Sequence, residues 1–520
     1  MPLVPGWRFE TFEVVDAIGA DGMGEISRAC EEGWPMRDSR RGVGRTVACG
    51  MALLAIATAA CQRAEPTPAT PSRPPNVVVI LVDDLRWDDI GAAGHPFVQT
   101  PAIDQLAREG TRFTNAFATT PLCSPSRAAI LTGQYVHTNG IIDNTARDAA
   151  SHKLETFAVP LQRAGYETAF FGKWHMGNDD TRRPGWSHWV AMKGQGEAID
   201  PQLNVDGERV VVKGYVTDVL TDHTLRFIER AKERPFMVFL AHKALHPNVM
   251  QQNDGSVVQL QGQRAGFVPA DRHRGRYASA VVPRRANATV APQRKPALLR
   301  PVPGLPPLAP STGTPDADVR DRLEMLLGVD ESLARIVQAL RDHGALDNTL
   351  LIFTSDHGYF YGEHGLNEER RLAYEETARI PLIVRFPAVA RANVQEPRLT
   401  QIIDLAPTIL ALTGADDAVP RQGRSLVPLL RGEDVPWRSS VLIEYYSDTV
   451  FPRIVTMGYQ AVRTERYKYI DYLELTGMNE LYDLQADPHE LDNLISTDAG
   501  RRLLPTLLAE LARLQQESGY

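Results

Sequence analysis

Cysteine is scarce in this chain: its 520 residues include only four, at positions 30, 49, 61 and 123. No two of them form a C-x-x-C pair, which excludes a disulfide-rich scaffold and a cysteine-based zinc framework. An excess of basic charge is also lacking, because the formal net charge is −8. This balance excludes binding driven by bulk positive charge, so we expect no nucleic-acid partner.

The chain also lacks a convincing membrane span near its start. The apolar stretch at residues 47–60 is too short to cross a bilayer. It follows several arginines and ends in small residues before Cys61, which is typical of an export signal over residues 36–61. Residues 58–61 (TAAC) are similar to a bacterial lipobox, so we predict lipidation of Cys61, with ordinary signal-peptidase cleavage near residues 57–59 as the alternative.

Residues 62–75 are rich in proline, threonine and alanine, which indicates a flexible tether. We therefore expect an exported protein, either a periplasmic or cell-surface lipoprotein or a secreted one. A lipid anchor would be its one contact with a membrane.

The first 35 residues stand in front of this signal. Residues 12–25 are similar to the glycine-rich loop of bacterial serine/threonine kinases, but Asp21 replaces the middle glycine and would repel ATP phosphates. No VAIK lysine, HRD loop or DFG motif follows. We interpret residues 1–35 as a degenerate remnant or an over-extended start, with Met36 as the alternative start.

The rest of the chain has an ordinary globular composition, with 43% hydrophobic, 23% charged and 7% aromatic residues. Continuous β-branched or apolar runs alternate with amphipathic segments, which predicts an α/β fold with a mostly parallel sheet sandwiched by helices. The predicted strands are 76–82, 168–171, 236–240, 349–353 and 380–385, and the predicted helices are 101–110, 157–164, 215–232 and 319–343. We assign residues 76–414 to this catalytic domain.

Two regions depart from the alternation. Residues 254–316 are rich in proline, arginine and glycine and predict a long, partly ordered excursion. After Gly414, short strand patterns near 441–444, 460–463 and 467–470 precede a terminal helix at 500–516. We therefore predict that residues 415–520 form a smaller α+β subdomain with an antiparallel sheet.

Polar clusters follow four of the predicted strands, where the carboxyl ends of a parallel sheet meet. These clusters are Asp83 with Asp84, Lys173 with His175, His242 with Lys243 and His246, and Asp356 with His357. Carboxylates are typical ligands of a hard divalent cation, although paired aspartates also cap helices. The pattern predicts one site at this edge of the sheet.

The segment at residues 123–127 (CSPSR) has the form C-x-P-x-R and precedes a predicted helix. Pro125 suits the first helical turn, and the helix N-terminus with Arg127 would attract an anion. The segment resembles the signature of sulfatases, and the resemblance extends over residues 76–494 through GKWH at 172–175, SDHG and GEHG at 355–365, and ELYDL at 480–484. A lone cysteine is usually a small buried core residue, but this context favours the sulfatase interpretation.

The resemblance implies an alkaline-phosphatase-like fold and the hydrolysis of sulfate esters. It also implies that a formylglycine-generating maturation enzyme oxidises Cys123 to formylglycine, whose hydrate is the nucleophile. The implied ligands of one divalent cation, Ca²⁺ with Mg²⁺ as the alternative, are Asp83, Asp84, Asp356 and His357. The implied catalytic residues are Cys123, Arg127, Lys173, His175 and His246, and the implied substrate-binding residues are Arg370, Lys243 and His242.

Some of these roles are more specific than others. Lys173 would bind sulfate, His175 would orient or deprotonate the second hydroxyl, and His246 would protonate the leaving alcohol. Arg370 occupies the position at which relatives carry a lysine, which replaces a point charge by a planar fork. His242 and Lys243 lie near His246 in the sequence and are not ranked.

Several segments look most like the branch that acts on N-acetylglucosamine 6-sulfate and heparan-type glycans, so a sulfated carbohydrate is the expected substrate. Basic residues at 272–295 would lie along such a polyanion or form a solvated loop. Two alternatives remain: a phosphonate monoester or phosphodiester hydrolase of the same superfamily, and an inactive lipoprotein that binds sulfated glycans.

Overall fold

The computed structural model describes residues 73–231, 234–447 and 449–520, together with the backbone of three short strands, Arg8–Phe9, Phe12–Ala17 and Ser27–Ala29. The chain divides into two compact units, Met1–Glu65 and Pro66–Tyr520. The glycines of the predicted glycine-rich loop, the export signal, the lipobox and most of the tether lie outside the described residues. In the part of the chain that is described, no helix combines the length and the apolar character that a bilayer crossing needs.

The unit at residues 66–520 contains strands of an α/β domain followed by a second sheet. In chain order its strands are β1 (Asn76–Val82), β2 (Thr111–Phe117), β3 (Glu167–Lys173), β4 (His188–Met192), β5 (Gln202–Val205), β6 (Glu208–Val211), β7 (Phe236–Ala241), β8 (Val249–Gln251), β9 (Val257–Gln259), β10 (Thr349–Ser355), β11 (Arg379–Arg385), β12 (Val394–Glu396), β13 (Thr400–Gln401), β14 (Ser440–Tyr445), β15 (Tyr459–Thr464), β16 (Tyr467–Tyr472) and β17 (Glu480–Asp483).

The helices connect and cover these strands. They are α1 (Pro101–Glu109), α2 (Cys123–Thr132), α3 (Val136–Asn139), α4 (Asp148–Ser151), α5 (Ala158–Arg163), α6 (Val216–Arg230), α7 (Asp316–Asp342), α8 (Glu375–Ala378), α9 (Leu405–Thr413), α10 (Val427–Arg431) and α11 (Asp498–Ser518). All the strands and helices that the sequence predicts in residues 76–520 are present, with ends that differ by a few residues.

The large sheet has eleven strands in the order β12-β2-β11-β10-β1-β7-β3-β4-β5-β6, with β13 paired to β2. Its five central strands, β10, β1, β7, β3 and β4, run parallel to one another. β11 runs antiparallel to both of its neighbours, and β5 and β6 form an antiparallel edge. The mostly parallel sheet predicted from the sequence is confirmed, with antiparallel strands on either side of its centre.

β1 shows why the sheet is covered on both faces. Val77, Val79 and Leu81 pack into the hydrophobic cluster on one face. The alternate residues of the strand, such as Val78 and Ile80, pack into the cluster on the other. Side chains alternate along a strand, so a continuous apolar run buries both faces at about 1.5–3 kcal/mol per large side chain. Helices α2, α5 and α9 contribute to the first cluster and α1, α6 and α7 to the second.

A separate four-stranded antiparallel sheet, β14-β15-β16-β17, follows, and the C-terminal helix α11 contacts β14 and β15. The excursion at residues 254–316 is more ordered than its composition suggests. Phe267, Tyr277, Asn287 and Lys295 in this segment are all buried. It therefore packs against the domain over much of its length.

Candidate active site

The carboxyl ends of four adjacent parallel strands bring the polar clusters together. Asp83 follows β1, Asp356 follows β10, Lys173 ends β3 and His242 follows β7. The order β10-β1-β7-β3 makes these strands neighbours, which explains why residues up to 273 positions apart in the chain approach one another. Asp84 and His175 have left-handed backbones, with φ of 61° and 68°. Such conformations in residues other than glycine concentrate at functional sites.

Cys123 is the first residue of α2 and is fully buried. Its Sγ lies 3.3 Å from Nε2 of His357. Unpaired backbone N–H groups at a helix N-terminus stabilise negative charge. The position of Cys123 therefore suits a reaction with an anionic substrate.

Arg127 lies one turn further along α2 and joins three strand ends. Its Nη2 donates to Oδ2 of Asp356 at 2.8 Å and lies 3.3 Å from Oδ1 of Asp83. Its Nη1 donates to the carbonyl oxygen of Lys173 at 2.7 Å. The guanidinium is therefore the fixed positive centre of the cluster.

Lys173 provides the second positive charge, because its Nζ forms an ion pair with Oδ2 of Asp83. Burial alone would raise the pKa of Asp83, but the charges of Lys173 and Arg127 outweigh burial and hold that pKa well below its ordinary value. Asp83 is therefore a carboxylate in the folded protein.

The acidic side chains at this edge fit a divalent cation. Ligand atoms of Asp83, Cys123, Asp356 and His357 all lie within 4.8 Å of one another. Oδ1 of Asp83 and both carboxylate oxygens of Asp84 are buried and accept no hydrogen bond from the described residues. Burial and the negative charge of Asp83 raise the pKa of Asp356 to about 6. The buried oxygens of Asp83 and Asp84 lack hydrogen-bond donors among the described residues, and a hard cation with oxygen ligands would satisfy them.

Asp84 lies beside this group rather than inside it. Its Oδ1 is 3.4 Å from Nδ1 of His357 and 3.0 Å from Nε of Arg370. Its backbone N–H donates to Oδ1 of Asp356 at 3.0 Å. Three of the four residues predicted to bind a metal therefore lie in one group with Cys123, and the fourth, Asp84, adjoins it.

His246 and Arg370 contact each other across the site, with Nη2 of Arg370 2.9 Å from Nε2 of His246. The backbone oxygen of Pro247 can only accept, so Nδ1 of His246 carries a proton and donates to it at 2.9 Å. Burial and the charge of Lys173 hold the pKa of His246 well below its ordinary value. The histidine is neutral here, and its Nε2 accepts from the arginine.

The structure separates the two neighbours His242 and Lys243. Nζ of Lys243 donates to the backbone oxygens of Gln195 and Pro247, both at 3.1 Å, and burial with the charge of Lys173 lowers its pKa to about 7. His242 instead approaches Oγ of Ser332 on α7, at 3.3 Å from its Nε2. Lys243 therefore borders the site, whereas His242 lies against the helix and is not brought into it.

The basic residues at 272–295 are largely engaged with acidic partners. Arg272 pairs with Asp218 and Glu331, Arg285 with Asp88 and Glu376, and Lys295 lies 3.6 Å from Glu480. These pairings leave little of the segment free to follow a polyanionic chain.

Three contributors to the site carry no recognisable sequence signal. Arg322 on α7 donates to the backbone oxygens of Asp84 and Leu245, at 2.7 and 2.9 Å, and supports the left-handed turn. Oδ1 of Asn144 accepts from the backbone N–H of Ser124 at 3.0 Å. Gln251 contacts His175. Arg322 lies in a long helix and the two amides lie in a loop and a short hairpin, so only the folded chain identifies them.

We expect the free energy of unfolding to depend on the divalent cation. At free Ca²⁺ of 100 times its dissociation constant, linkage predicts about 2.7 kcal/mol of stabilisation. Thermal unfolding of chelated protein, titrated with Ca²⁺ and separately with Mg²⁺, measures it.

The matched variants for this titration are Asp84→Asn and Asp89→Asn. Asp89 is also buried, but its carboxylate accepts from Tyr361 at 2.6 Å and lies outside the cluster. Asp84→Asn is expected to weaken the Ca²⁺ response at least about tenfold because it removes a carboxylate that is expected to bind the ion, and Asp89→Asn is expected to preserve it. Unfolding that ignores both cations would contradict the assignment.

Comparison with known proteins agrees with this geometry. The family model described as "Sulfatase" matches residues 75–415, and the model described as "N-sulphoglucosamine sulphohydrolase, C-terminal" matches residues 362–517. The chain is 30% identical to an N-acetylglucosamine-6-O-sulfatase of Bacteroides thetaiotaomicron, over 86% of this chain and 87% of that protein. It is 29% identical to the human N-acetylglucosamine-6-sulfatase, over 92% and 91% of the two chains.

The fold is also similar to that of a solved structure. That structure is described as a complex with its substrate, D-glucosamine-2-N,6-O-disulfate, and superposes with a TM-score of 0.74 at 29% sequence identity. The match covers 86% of this chain and 98% of the other.

Proposed function

The chain belongs to the sulfatase family, and from this membership we propose that it removes the 6-O-sulfate group from glucosamine residues of heparan-type glycans. Sulfate ester hydrolysis is the activity of the family, and the position of the ester on the sugar is the proposal. The observation that carries it is the buried group of Cys123, Asp83, Asp356 and His357, in a chain whose relatives are named for this sugar sulfate.

The family chemistry needs two groups that we assign to this cluster. Oxidation of Cys123 to formylglycine by a maturation enzyme would supply a hydrated aldehyde with a hydroxyl nucleophile. A divalent cation, which we propose to be Ca²⁺, would be held by Asp83, Asp84, Asp356 and His357 and would supply positive charge beside the sulfate oxygens.

The basic side chains of the chain itself hold the anion. Arg127 and Lys173 both pair with Asp83, and Arg127 also pairs with Asp356. Because they are buried and already oriented, they stabilise negative charge on sulfate oxygens without reorganising during the reaction.

His246 would serve the leaving alcohol. Its Nε2 accepts from Arg370 in the structure, so a bound substrate must displace or share that contact before Nε2 can carry a proton. The negative charge of a bound sulfate would raise the pKa that burial and Lys173 now depress. Proton transfer from Nε2 to the departing sugar oxygen then avoids an unstable alkoxide.

We assign the sugar to an open cleft that reaches the site through Gln251, which contacts His175. The cleft is lined by Asn178, by the 193–202 segment and by the β8–β9 hairpin, including Lys193, Met250, Gln252 and Asn253. Amide groups and one lysine can hydrogen-bond to sugar hydroxyl and N-acetyl groups.

We also propose export through residues 36–61, which would place the enzyme where it meets extracellular glycans.

A substrate panel tests the proposal. Protein produced with a formylglycine-generating enzyme is assayed on N-acetylglucosamine 6-sulfate, on its 3-sulfate and on galactose 6-sulfate. We expect kcat/KM to be highest for the glucosamine 6-sulfate. Equal rates on all three sugars would contradict the assigned position.

Two controls accompany the panel. The tryptic peptide that carries Cys123 should be about 18 Da lighter than the cysteine form, because oxidation replaces the thiol by an aldehyde. Phenyl phosphonate and nitrophenyl sulfate are assayed in parallel, and faster turnover of the phosphonate would favour the hydrolase alternative. Conversion of Cys123 with no turnover of any ester would favour the glycan-binding alternative.

A further inference from the structure

Gln251, the last residue of strand β8, contacts three other residues of the site: Asn144, Gln195 and His175. Its Nε2 donates to the backbone oxygen of Asn144 at 2.8 Å. Its Oε1 accepts from Nε2 of Gln195 at 3.1 Å and contacts Nε2 of His175. The side chain is 5% exposed, and it also lines the cleft that we assign to the sugar.

The orientation of this amide follows from its partners. The backbone oxygen of Asn144 can only accept a hydrogen bond, so it must face the NH₂ group of Gln251. The carbonyl oxygen of the amide therefore faces His175, and Nε2 of His175 must be the donor. The network thereby determines where the proton of His175 resides.

The opposite nitrogen of the ring is left as the acceptor. Oγ of Ser124 lies 3.5 Å from Nδ1 of His175, but this hydroxyl donates to the backbone oxygen of His175 at 2.6 Å. Burial and the positive charges of Lys173 and Arg127 hold the pKa of His175 well below its ordinary value, and the charge of Asp83 opposes them only in part. The imidazole is thus neutral, with one proton on Nε2 and a lone pair on Nδ1.

We propose that Gln251 is a positioning residue that fixes His175 as the Nε2–H tautomer, so that Nδ1 is the nitrogen that accepts a proton during turnover. This role deepens the proposed function and rests on it. Oγ of Ser124, the neighbour of the proposed nucleophile position 123, lies 3.5 Å from this Nδ1. Gln251 also forms part of the wall of the cleft, so the same side chain contacts the base and borders the sugar.

The first test compares Gln251→Met with Gln259→Met. Methionine preserves the length of the side chain and removes the amide, and Gln259 is exposed on β9 of the same hairpin. We expect kcat of Gln251→Met to fall about 10–100-fold with little change in KM, because part of the population adopts the wrong tautomer. Gln259→Met is expected to retain kcat.

The second test uses charge. A carboxylate in Gln251→Glu would face Nε2 of His175 and stabilise the doubly protonated ring, which cannot act as a base. The pKa of His175 would rise, so the acid limb of the kcat profile is expected to move to higher pH. Gln259→Glu places the same charge on the other strand of the hairpin and should leave that limb unchanged.

A readout independent of turnover separates this proposal from the proposed function. ¹⁵N NMR of histidine-labelled protein in the Cys123 form, with the His175 signals assigned by their absence from a His175→Asn variant, should show this imidazole with a protonated Nε2 and a bare Nδ1, and Gln251→Met should lose that signature. A wild-type protein without sulfatase activity would defeat the proposed function alone. An unchanged tautomer in a folded Gln251→Met protein would overturn the role of Gln251.

Discussion

Replacement of Cys123 by alanine is expected to lower kcat by at least about 10⁴-fold, because it removes the atom from which the nucleophile is made. No other cysteine is present in the described residues, and Sγ of Cys123 is the sulfur that faces His357. Steady-state rates on N-acetylglucosamine 6-sulfate, for protein produced with the maturation enzyme, measure the loss.

The fold should tolerate this change. Cys123 behaves as a small buried residue, so removal of its sulfur is expected to lower the free energy of unfolding by about 1 kcal/mol. The variant should therefore retain affinity for the substrate, as measured by calorimetry. If wild type and Cys123→Ala bound the glycan equally and neither hydrolysed it, the glycan-binding alternative would replace the enzyme.

Arg127→Lys is expected to have the second largest effect, with kcat/KM lowered about 10²–10³-fold. Nε and Nη2 of Arg127 both donate to Asp356 while Nη1 donates to Lys173, and a lysine ammonium cannot reproduce that planar arrangement. The free energy of unfolding should also fall by about 3 kcal/mol, because buried carboxylates lose part of their compensation.

Arg86→Lys is the matched control for this prediction. Arg86 is equally buried and pairs with Glu363 at 2.7 Å and with Asp88 at 3.0 Å, outside the metal-binding cluster. Its replacement should lower the thermal midpoint by a similar amount and leave kcat/KM within a few-fold of wild type. A similar loss of activity in both variants would show that Arg127 acts through stability alone.

Much of the site could be predicted from the sequence because its elements are local. The C-x-P-x-R segment places Cys123 and Arg127 one helical turn apart, and the structure shows both on α2. The aspartates at 83, 84 and 356 follow apolar runs, and the ends of adjacent parallel strands meet by the topology of an α/β sheet. Arg370 also lies in the site, although its contact with His246 has no counterpart in the sequence pattern.

The excursion at 254–316 shows the opposite case. Its proline- and arginine-rich composition carries no period from which burial can be predicted. Burial of residues such as Phe267 and Tyr277 in the core of the domain orders it instead. Contacts of this kind depend on the assembled domain, and the sequence alone does not specify the partner.

The sequence by itself determined the class of the fold and indicated Cys123 and the carboxylates around it, because each follows from a short motif or from a strand end. Only the tertiary structure decided how neighbouring side chains divide between the site and the core. His242 and Lys243 are adjacent, yet one contacts α7 and the other borders the site. Successive side chains at the end of a strand point to opposite faces of the sheet, and which face carries the site is settled only when the helices have packed. Gln251 reaches His175 for the same reason, through a hairpin that folding brings to the catalytic edge.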